Sequence, residues 1–328
     1  MQCEVNGVTD SPTNPRPDAG LARWTHPGAI LVPTDLSDLD RLMPFAFEQA
    51  SETGARLILL HVLATAASMA TDAAGMPYYD PAGALEFAAK ALDPWCAEAQ
   101  RQNIACDALV REGNPARQIE AAVRQFHAGR VLLGTRSRSR LGKLLIGSVA
   151  EQVLRSVNLP VFTVGPEAHL PVKCDERVVL HATTLRETSR PSAALACQFA
   201  ASQGARLVLL HVLPPMDEME RNGLPTGLDS VAMRELCILA EETGGGWSIT
   251  VEPHVAHGNP TIEILAAASE MCARLIVLGA TERSALENLA RDRTIYRVLA
   301  HARCPVLTLR ESTMNSSGAE AESLAAHR

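Results

Sequence analysis

An internal repeat is the feature that most constrains the fold of this chain. Residues 54–63 read GARLILLHVL and residues 204–213 read GARLVLLHVL, so the two segments differ only at Ile58 and Val208. Three shorter matches follow in the same order, namely a Gly-Asn-Pro triplet, a Leu-Gly pair and a Pro-Val pair, which begin at residues 113, 133 and 160 and again at 258, 278 and 305. Ordered self-similarity of this kind indicates two homologous domains of about 140 residues each, a usual domain size.

The repeat also predicts the domain boundaries. We expect a first domain over residues 28–165 and a second over 178–310, joined by a linker at 166–177 that contains two prolines and several charged residues. Residues 1–27 are rich in Pro, Asn, Asp and Gly, and residues 311–328 are small and polar. Neither segment shows hydrophobic periodicity, so both are predicted to be disordered tails.

Within the first copy, apolar runs rich in β-branched residues alternate with helical patterns. The pattern predicts strands near residues 29–33, 56–63, 105–111, 130–134 and 160–164, and helices near 38–53, 83–102, 115–128 and 148–157. Strands that are apolar throughout fit a sheet covered on both faces, and βαβ alternation implies parallel strands. The predicted fold class is therefore α/β, with two tandem doubly wound, parallel, five-stranded α/β sandwich domains of Rossmann-like type.

A glycine-containing loop after the fourth predicted strand is a candidate anion site. Gly134 ends that strand, and the pair Gly147-Ser148, separated from Ser137 by nine residues, opens the helical run that begins at Val149. A helix N-terminus offers unpaired backbone N–H groups and a partial positive charge, and a glycine lets an anion approach the backbone closely. From the spacing alone, a surface loop with an ordinary serine cap remains an alternative.

The fold class places a second set of residues beside this loop. In a doubly wound sheet, ligands bind beyond the carboxyl ends of the strands, where the strand order reverses. If the first and fourth strands are neighbours there, Pro33, Thr34 and Asp35 share a crevice with Gly134. Two readings stay open, because Asp35 could instead cap the following helix and Pro33 could be a plain strand terminator. The strand-end histidines, His61 and His211, are read as structural.

Four motifs in these positions resemble the universal stress protein family in its tandem two-domain form. They are residues 32–37 (VPTDLS), residues 60–62 (LHV), the pattern Gly134-x-x-Ser137-x9-Gly147-Ser148, and residues 159–161 (LPV). The resemblance covers roughly residues 28–310. Nucleotide-binding members of the family carry Gly-x-x-Gly-x9-Gly-Ser/Thr, and this chain has Ser137 at the second glycine.

The resemblance implies a nucleotide site in the first domain. Asp35, with the backbone around Pro33 and Thr34, would contact the ribose and adenine side, and Val62 would offer main-chain groups to the adenine edge. The phosphates would be held by Gly134, Thr135, Arg136, Ser137, Arg138, Gly147, Ser148 and Val149. The implied cofactor is ATP, with or without Mg²⁺, and the implied function is a stress-response regulator that holds ATP as a signal.

Two other functions compete with this one. An enzyme such as a slow ATP hydrolase is the first, but no carboxylate and histidine pair near the phosphate loop suggests a general base. A nucleotide-free interaction scaffold is the second. We therefore predict a protein that is not an enzyme and has no catalytic residues.

The second copy is expected to lack the site. Aligning residues 178–184 on residues 30–36 places Thr183 at the position of Asp35 and removes the carboxylate. Counting from Gly279 places Glu282, Asp292 and Arg293 at the positions of Ser137, Gly147 and Ser148. Two carboxylates would then face the phosphates, and like charges repel.

The composition argues against several other classes. The net charge is −7 and no basic stripe is interleaved with aromatic residues, which disfavours nucleic-acid binding. No apolar run approaches the roughly 18 residues of a membrane span, and the first residues lack a signal-peptide pattern, so we expect a cytoplasmic protein without a membrane partner. The eight cysteines lack Cys-x-x-Cys spacing, which predicts reduced thiols. His254 and His257, spaced by three on a predicted strand, point to opposite faces and do not predict a metal site.

The final expectations concern assembly. The fifth strand of each copy would leave an exposed apolar edge, and such edges tend to be paired or covered. Since the family typically pairs its domains through this strand, we predict that the two domains of one chain pack together through it, with a homodimer as a further possibility. Residues 64–80 form a long connection that is either a cover over the crevice or a plain surface loop.

Overall fold

The computed structural model describes residues 23–63, 81–135, 147–170, 176–215, 227–244, 246–280 and 289–310. These residues form two compact units. One unit is His26–Pro166, and the other comprises the described residues from Glu167 onward together with residues 23–25. Each unit contains five parallel strands, so the expected tandem α/β organisation is confirmed.

The first unit is a parallel sheet with helices in the connections. Its strands are β1 (Ala29–Thr34), β2 (Arg56–Leu63), β3 (Cys106–Glu112), β4 (Arg130–Gly134) and β5 (Val161–Val164), and its helices are α1 (Leu39–Thr53), α2 (Pro81–Arg101), α3 (Pro115–Phe126) and α4 (Ser148–Ser156). The spatial order is β3-β2-β1-β4-β5, with every pair parallel. The chain therefore winds in one direction from β1 to β3 and in the other through β4 and β5, and the direction reverses between β1 and β4.

The central strands are apolar because the sheet is covered on both faces. Ile30, Leu31 and Val32 of β1 are fully buried, as are the four residues 57–60 of β2. Alternate residues of these strands join helix residues such as Ile119 of α3 and Val153 of α4 in one core cluster. This packing holds the strand ends, and the loops after them, on a rigid frame.

The second unit repeats the same topology. Its strands are β6 (Val178–Ala182), β7 (Arg206–Leu213), β8 (Val251–His257), β9 (Leu275–Ala280) and β10 (Val306–Arg310), and its helices are α5 (Arg190–Ser202), α6 (Leu228–Gly244), α7 (Pro260–Glu270) and α8 (Leu289–His301). The order β10-β9-β6-β7-β8 reproduces the order of the first unit strand for strand. The sequence repeat is therefore a repeat of structure.

Part of the predicted amino-terminal tail is ordered. Residues 23–25 are helical, and Trp24 is only 1% exposed, so ordered structure begins before Gly28. The sequence missed this because a single buried tryptophan creates no periodic pattern. The rest of the predicted tails, at residues 1–22 and 311–328, and the connection at residues 64–80 lie outside the described residues. Within the described part of the chain, no helix combines the length and the apolar composition that a bilayer crossing requires.

Candidate functional site

The candidate site lies where the strand order of the first unit reverses. β1 pairs with β4 through Ile30–Arg130 and Leu31–Val131, so the carboxyl ends of the two strands are neighbours. The loop after β1 touches the end of β4 directly, because Arg41 Nη2 of α1 donates a hydrogen bond to the Thr135 carbonyl oxygen at 3.2 Å. The expected juxtaposition of the loop after β1 with Gly134 is therefore present.

Side-chain hydrogen bonds shape the turn between β1 and α1. The Thr34 hydroxyl accepts from the Leu36 backbone N–H at 2.9 Å, and Leu36 has a φ of 73°. Asp35 Oδ1 accepts from both the backbone N–H of Ser37 at 3.0 Å and its hydroxyl at 2.6 Å. Asp35 thus closes the turn before the helix and does not cap α1, whose N-cap residue is Asp38. The half-buried carboxylate of Asp35 is fixed beside the crevice by this turn.

Asp38, which the sequence analysis did not single out, lies at the candidate site. Its side chain makes no capping hydrogen bond. Instead, Oδ1 accepts from the Thr34 hydroxyl at 2.6 Å, and Oδ2 lies so close to Gly134 that a Cβ there would overlap it. Any larger residue at position 134 would therefore force the Asp38 carboxylate to move. The available signal was a pair of polar residues, Thr34 and Asp38, on either side of the turn between β1 and α1.

The environment of Asp38 disfavours its charge. Burial raises the pKa of the Asp38 carboxyl above its usual value, and the neighbouring Asp35 adds to that shift. The Thr34 hydrogen bond and the Arg41 guanidinium act in the opposite direction but do not cancel the effect of burial on the pKa. The crevice therefore contains a carboxylate that would gain from a nearby cation.

The start of α4 carries the second half of the predicted phosphate motif. The helix begins at Ser148, and its N-cap residue, Gly147, has φ −63° and ψ 146° and provides no side-chain cap. A Cβ at Gly147 would meet no atom within 4 Å, so the space in front of this residue is open. Ser148 is exposed and Val149 half-buried. The first backbone N–H groups of α4 are thus placed as an anion-binding helix terminus requires.

Two buried polar atoms at this edge lack hydrogen-bond partners. They are Arg41 Nε and the hydroxyl of Thr135, a residue that is only 2% exposed. The backbone of Thr135 is fixed, since its N–H donates to the Val164 carbonyl oxygen at 3.1 Å. Buried polar atoms without partners are costly, so this edge is suited to a polar ligand. Arg136, Ser137 and Arg138 follow immediately and lie outside the described residues.

Val62 lies one residue beyond the end of the register between β2 and β1. β2 pairs with β1 up to His61–Thr34, whereas its pairing with β3 continues through Val62–Arg111 to Leu63–Glu112. The half-buried Val62 side chain packs against the core cluster. The residue is therefore positioned by the sheet, while its backbone on the β1 side extends beyond the ladder.

The histidines at the ends of β2 and β7 act as structural ties. His61 Nδ1 donates to the Thr34 carbonyl oxygen, and His211 Nδ1 donates to the Thr183 carbonyl oxygen, both at 2.9 Å. The bond is the same in both copies although the residues around it differ. This agrees with the structural reading of both histidines.

Strand register corrects the predicted alignment of the two copies by one residue. Arg56 pairs with Ala29 and its counterpart Arg206 pairs with Val178, so Ala29 corresponds to Val178. Thr183 is therefore the counterpart of Thr34 and not of Asp35. In agreement, the Leu185 N–H bonds to the Thr183 hydroxyl at 3.1 Å. The sequence alignment failed because both strands are short apolar runs that match almost equally well when shifted by one position.

The corrected register still removes the carboxylate from the second copy. Thr184 now occupies the position of Asp35, and its hydroxyl lies 3.0 Å from the Ser189 hydroxyl. In the second copy, α8 includes Leu289, so Asp292 lies inside that helix. Gly147, in contrast, is the N-cap residue of α4. Asp292 lies nine residues before the end of its helix, as Gly147 does, but it is a helix residue and not an N-cap. Glu282 and the side chains of Asp292 and Arg293 lie outside the described part.

No cluster of three or more His, Cys, Asp or Glu side chains able to hold a metal occurs among the described residues. Both His254 and His257 are in β8, as the sequence predicts.

These features define a doubly wound α/β protein in two copies, with a candidate site in the first, and comparison with known proteins gives the family. The model of the universal stress protein family matches residues 28–165 and again 176–310, so the chain belongs to the universal stress protein family in tandem form. A universal stress protein of Mycobacterium tuberculosis is 25% identical over 187 residues, which are 56% of this chain and 62% of that relative. The chain thus matches somewhat less than two thirds of that relative's length.

Solved structures agree on the fold. A universal stress protein from Archaeoglobus fulgidus superposes with a TM-score of 0.64 at 20% identity, over 87% of this chain and 98% of that one. At this level of identity the likeness establishes the fold alone.

Proposed function

We propose that this protein is a nucleotide-binding regulator of the stress response, in which the first domain holds ATP as a signal and the second domain is structural. The observation that carries the proposal is the difference between two copies of one fold. The first copy has Asp35 beside the crevice and an open helix N-terminus at Gly147. The second has Thr184 at the former position and the helix residue Asp292 near the latter.

The residues present fit a nucleotide phosphate at the start of α4. The open space at Gly147 and the N-terminal amides of α4 provide an anion site, and the unpaired Thr135 hydroxyl and Arg41 Nε provide further polar groups. The carboxylate of Asp38 stands against Gly134, so the phosphates are expected on the α4 side of the loop. Mg²⁺ is a hard cation that binds carboxylate and phosphate oxygens together. Asp38 therefore favours binding of ATP with Mg²⁺ over ATP alone.

We further propose that the nucleotide is retained and not turned over. The histidine at this edge, His61, is bound through Nδ1 to the Thr34 carbonyl oxygen, and Asp35 Oδ1 is bound to Ser37. Neither is arranged as a general base for an attacking water. The proposal places the protein in the cytoplasm, where millimolar ATP would keep such a site occupied.

Calorimetric titration of the full chain with ATP and Mg²⁺ tests the proposal. One site per chain is expected, and Gly147→Asp should abolish it by placing a negative charge at the N-terminus of α4. Gly147→Ala is the matched control for folding, because the added Cβ meets open space. Two equivalent sites, or a site that survives Gly147→Asp, contradict the proposal. Because solved universal stress proteins include complexes with dAMP and with cAMP, these nucleotides belong in the test as competitors.

The alternatives are separated by two further measurements. Mass spectrometry of the small molecule released when the purified protein is denatured identifies ATP, ADP or AMP, and finding none, together with no binding in the titration, favours the nucleotide-free scaffold. Steady turnover of ATP that is lost in Asp35→Asn favours the slow hydrolase.

A further inference from the structure

Two cysteines that are ten residues apart in the sequence meet in the fold. Cys96 lies in α2, and Cys106 is the first residue of β3. Their Sγ atoms are 2.9 Å apart, and both residues are half-buried. The scattered spacing of the cysteines had predicted isolated reduced thiols. Here the chain turns between a helix and a strand that pack together, so residues outside any Cys-x-x-Cys motif become neighbours.

The two thiols are not equivalent. The hydrogen bond with Cys106 lowers the pKa of Cys96, against opposing effects of burial and of Asp107 and Asp93. The same hydrogen bond and burial raise the pKa of Cys106. Cys96 is therefore the sulfur that carries thiolate character, and the thiolate is the reactive form.

Other described cysteines differ from this pair. Cys197 and Cys304 are buried, and burial raises the pKa of each thiol to about 12. Cys272 is exposed. These three residues provide unpaired controls within the same chain.

The second copy shows that the fold does not require the pair. The strand register makes Val251 the counterpart of Cys106, since Leu57 pairs with Cys106 and Leu207 pairs with Val251. Val251 packs against Gly244, the last residue of α6, where an added Cβ would come within 2.8 Å of Val251 Cγ2. An apolar contact therefore joins helix to strand in one copy, and a pair of thiols does so in the other.

We propose that Cys96 and Cys106 form a reversible intramolecular disulfide when the protein meets a hydroperoxide. The Cys96 thiolate attacks the distal peroxide oxygen, the O–O bond breaks, and with hydrogen peroxide the leaving hydroxide takes up a proton to become water. The resulting sulfenic acid is attacked by the sulfur of Cys106, which loses its proton, and a second water leaves as the S–S bond forms. Two thiols are oxidised to one disulfide and one peroxide is reduced to two waters. A small dithiol reductant reverses the reaction by exchange.

The disulfide would join α2 to β3, the strand at one lateral edge of the first unit's sheet. Cys106 stands at the amino end of β3, level with Leu57 at the beginning of β2. The nucleotide is proposed to bind at the carboxyl ends of the strands, which are the opposite ends from Cys106. Oxidation should therefore protect α2 and β3 from local opening while leaving nucleotide affinity unchanged.

Trypsin provides a direct test, because Arg101 separates the two cysteines. Cleavage after Lys90, Arg101 and Arg111 places Cys96 in the peptide 91–101 and Cys106 in the peptide 102–111, each with a single cysteine. After treatment of the native full chain with equimolar hydrogen peroxide and alkylation of remaining thiols, the two peptides are expected as one linked species. Dithiothreitol should separate them. In denaturant the yield of this species should fall at least about tenfold, because the proximity of the sulfurs is lost.

A matched variant tests the roles of the two sulfurs. Cys106→Val installs the residue of the second copy, and its unfolding midpoint without oxidant reports whether it folds. In this variant Cys96 loses the hydrogen bond that lowers its pKa, so its thiol should be alkylated by iodoacetamide several times more slowly than in wild type. Linked peptides that form equally well in denaturant, or a Cys96 that is alkylated equally fast with and without Cys106, would overturn the proposal. Oxidised wild type should also show slower hydrogen exchange in α2 and β3, and unchanged exchange there would count against it.

Discussion

At the scale of single residues, the contact between Gly134 and Asp38 determines the shape of the candidate site. A Cβ at position 134 would overlap Asp38 Oδ2 and approach Arg41 Nη2 to 3.3 Å. Overpacking of this kind costs about 1–3 kcal/mol. We therefore expect Gly134→Ala to lower the free energy of unfolding of the first domain by about that amount and to weaken ATP binding, measured by urea unfolding and by calorimetry.

The double variant Asp38→Ala with Gly134→Ala is the control for this mechanism. Removing the carboxylate makes room for the methyl group, so the double variant should be more stable than the sum of the single effects indicates. Gly147→Ala, at a glycine with open space, should cost less than about 1 kcal/mol. If the effects of Asp38→Ala and Gly134→Ala on stability are strictly additive, Asp38 does not occupy the space at Gly134.

His181 is a second residue with a measurable consequence. It is fully buried in β6, Nδ1 donates to the Val277 carbonyl oxygen at 3.0 Å, and Nε2 has no partner. Burial lowers the pKa of His181 from 6.5 to about 4. As the pH falls below 6.5, the unfolded chain takes up a proton that the folded chain does not, so stability is lost between pH 6.5 and 4. From pH 7 to pH 5 the loss attributable to this residue is about 2 kcal/mol.

The first copy suggests the variant that tests this dependence. Val32 occupies the position of His181, because Ala29 corresponds to Val178 in the strand register. His181→Val should remove most of the acid sensitivity of the second domain's unfolding transition, as followed by urea titrations at pH 7 and pH 5. An equal loss of stability in wild type and variant would refute the assignment to His181.

At the scale of elements, two helices begin with the same asparagine cap. Asn114 Oδ1 accepts from the Arg117 N–H at 3.1 Å before α3, and Asn259 Oδ1 accepts from the Thr261 N–H at 3.0 Å before α7. Loss of such a cap typically costs about 1 kcal/mol. Asn114→Ala and Asn259→Ala are therefore each expected to lower the stability of their own domain by about that amount, as measured by chemical unfolding. Serine can also cap a helix. If replacing either asparagine by serine lowers the stability as much as replacing it by alanine, loss of the side-chain cap is not the cause.

At the scale of the whole molecule, ligand binding should separate the two domains energetically. If only the first domain holds ATP, nucleotide at 100 times its dissociation constant adds about 2.7 kcal/mol to that domain alone. Calorimetric scans with and without ATP should therefore move one unfolding transition and leave the other in place. A uniform shift of both transitions would indicate two sites or strong coupling between the domains.

Association of the domains through their fifth strands stays a prediction. β5 and β10 stand last in the strand order of their units, and an apolar strand at that position is stabilised by a partner. Val306 and Leu307 are fully buried, so polar substitutions there would damage the domain itself. Cleavage at a specific protease site inserted within residues 171–175 avoids this problem. The two halves are expected to co-elute in gel filtration, whereas separate elution would argue against the pairing.

The sequence by itself determined the elements and their layering. Apolar runs such as residues 57–60, the Gly-Asn-Pro starts of α3 and α7, and the repeat of residues 54–63 are local signals, and the observed strands and helices of the first copy begin and end within two residues of the predicted bounds. The position of the crevice between β1 and β4 also followed, because alternation of strands and helices leaves few topologies.

Tertiary structure alone decided which side chains meet. Arg41 and Thr135 are 94 residues apart, and the contact of Asp38 with Gly134 likewise joins two strand ends that only the sheet brings together. The one-residue register of β6 depends on its pairing with β7, and the meeting of Cys96 with Cys106 depends on how a helix packs on a strand. Hydrophobic periodicity specifies which face of an element is buried, but many pairings satisfy the same pattern, and the close packing of the folded chain selects one of them.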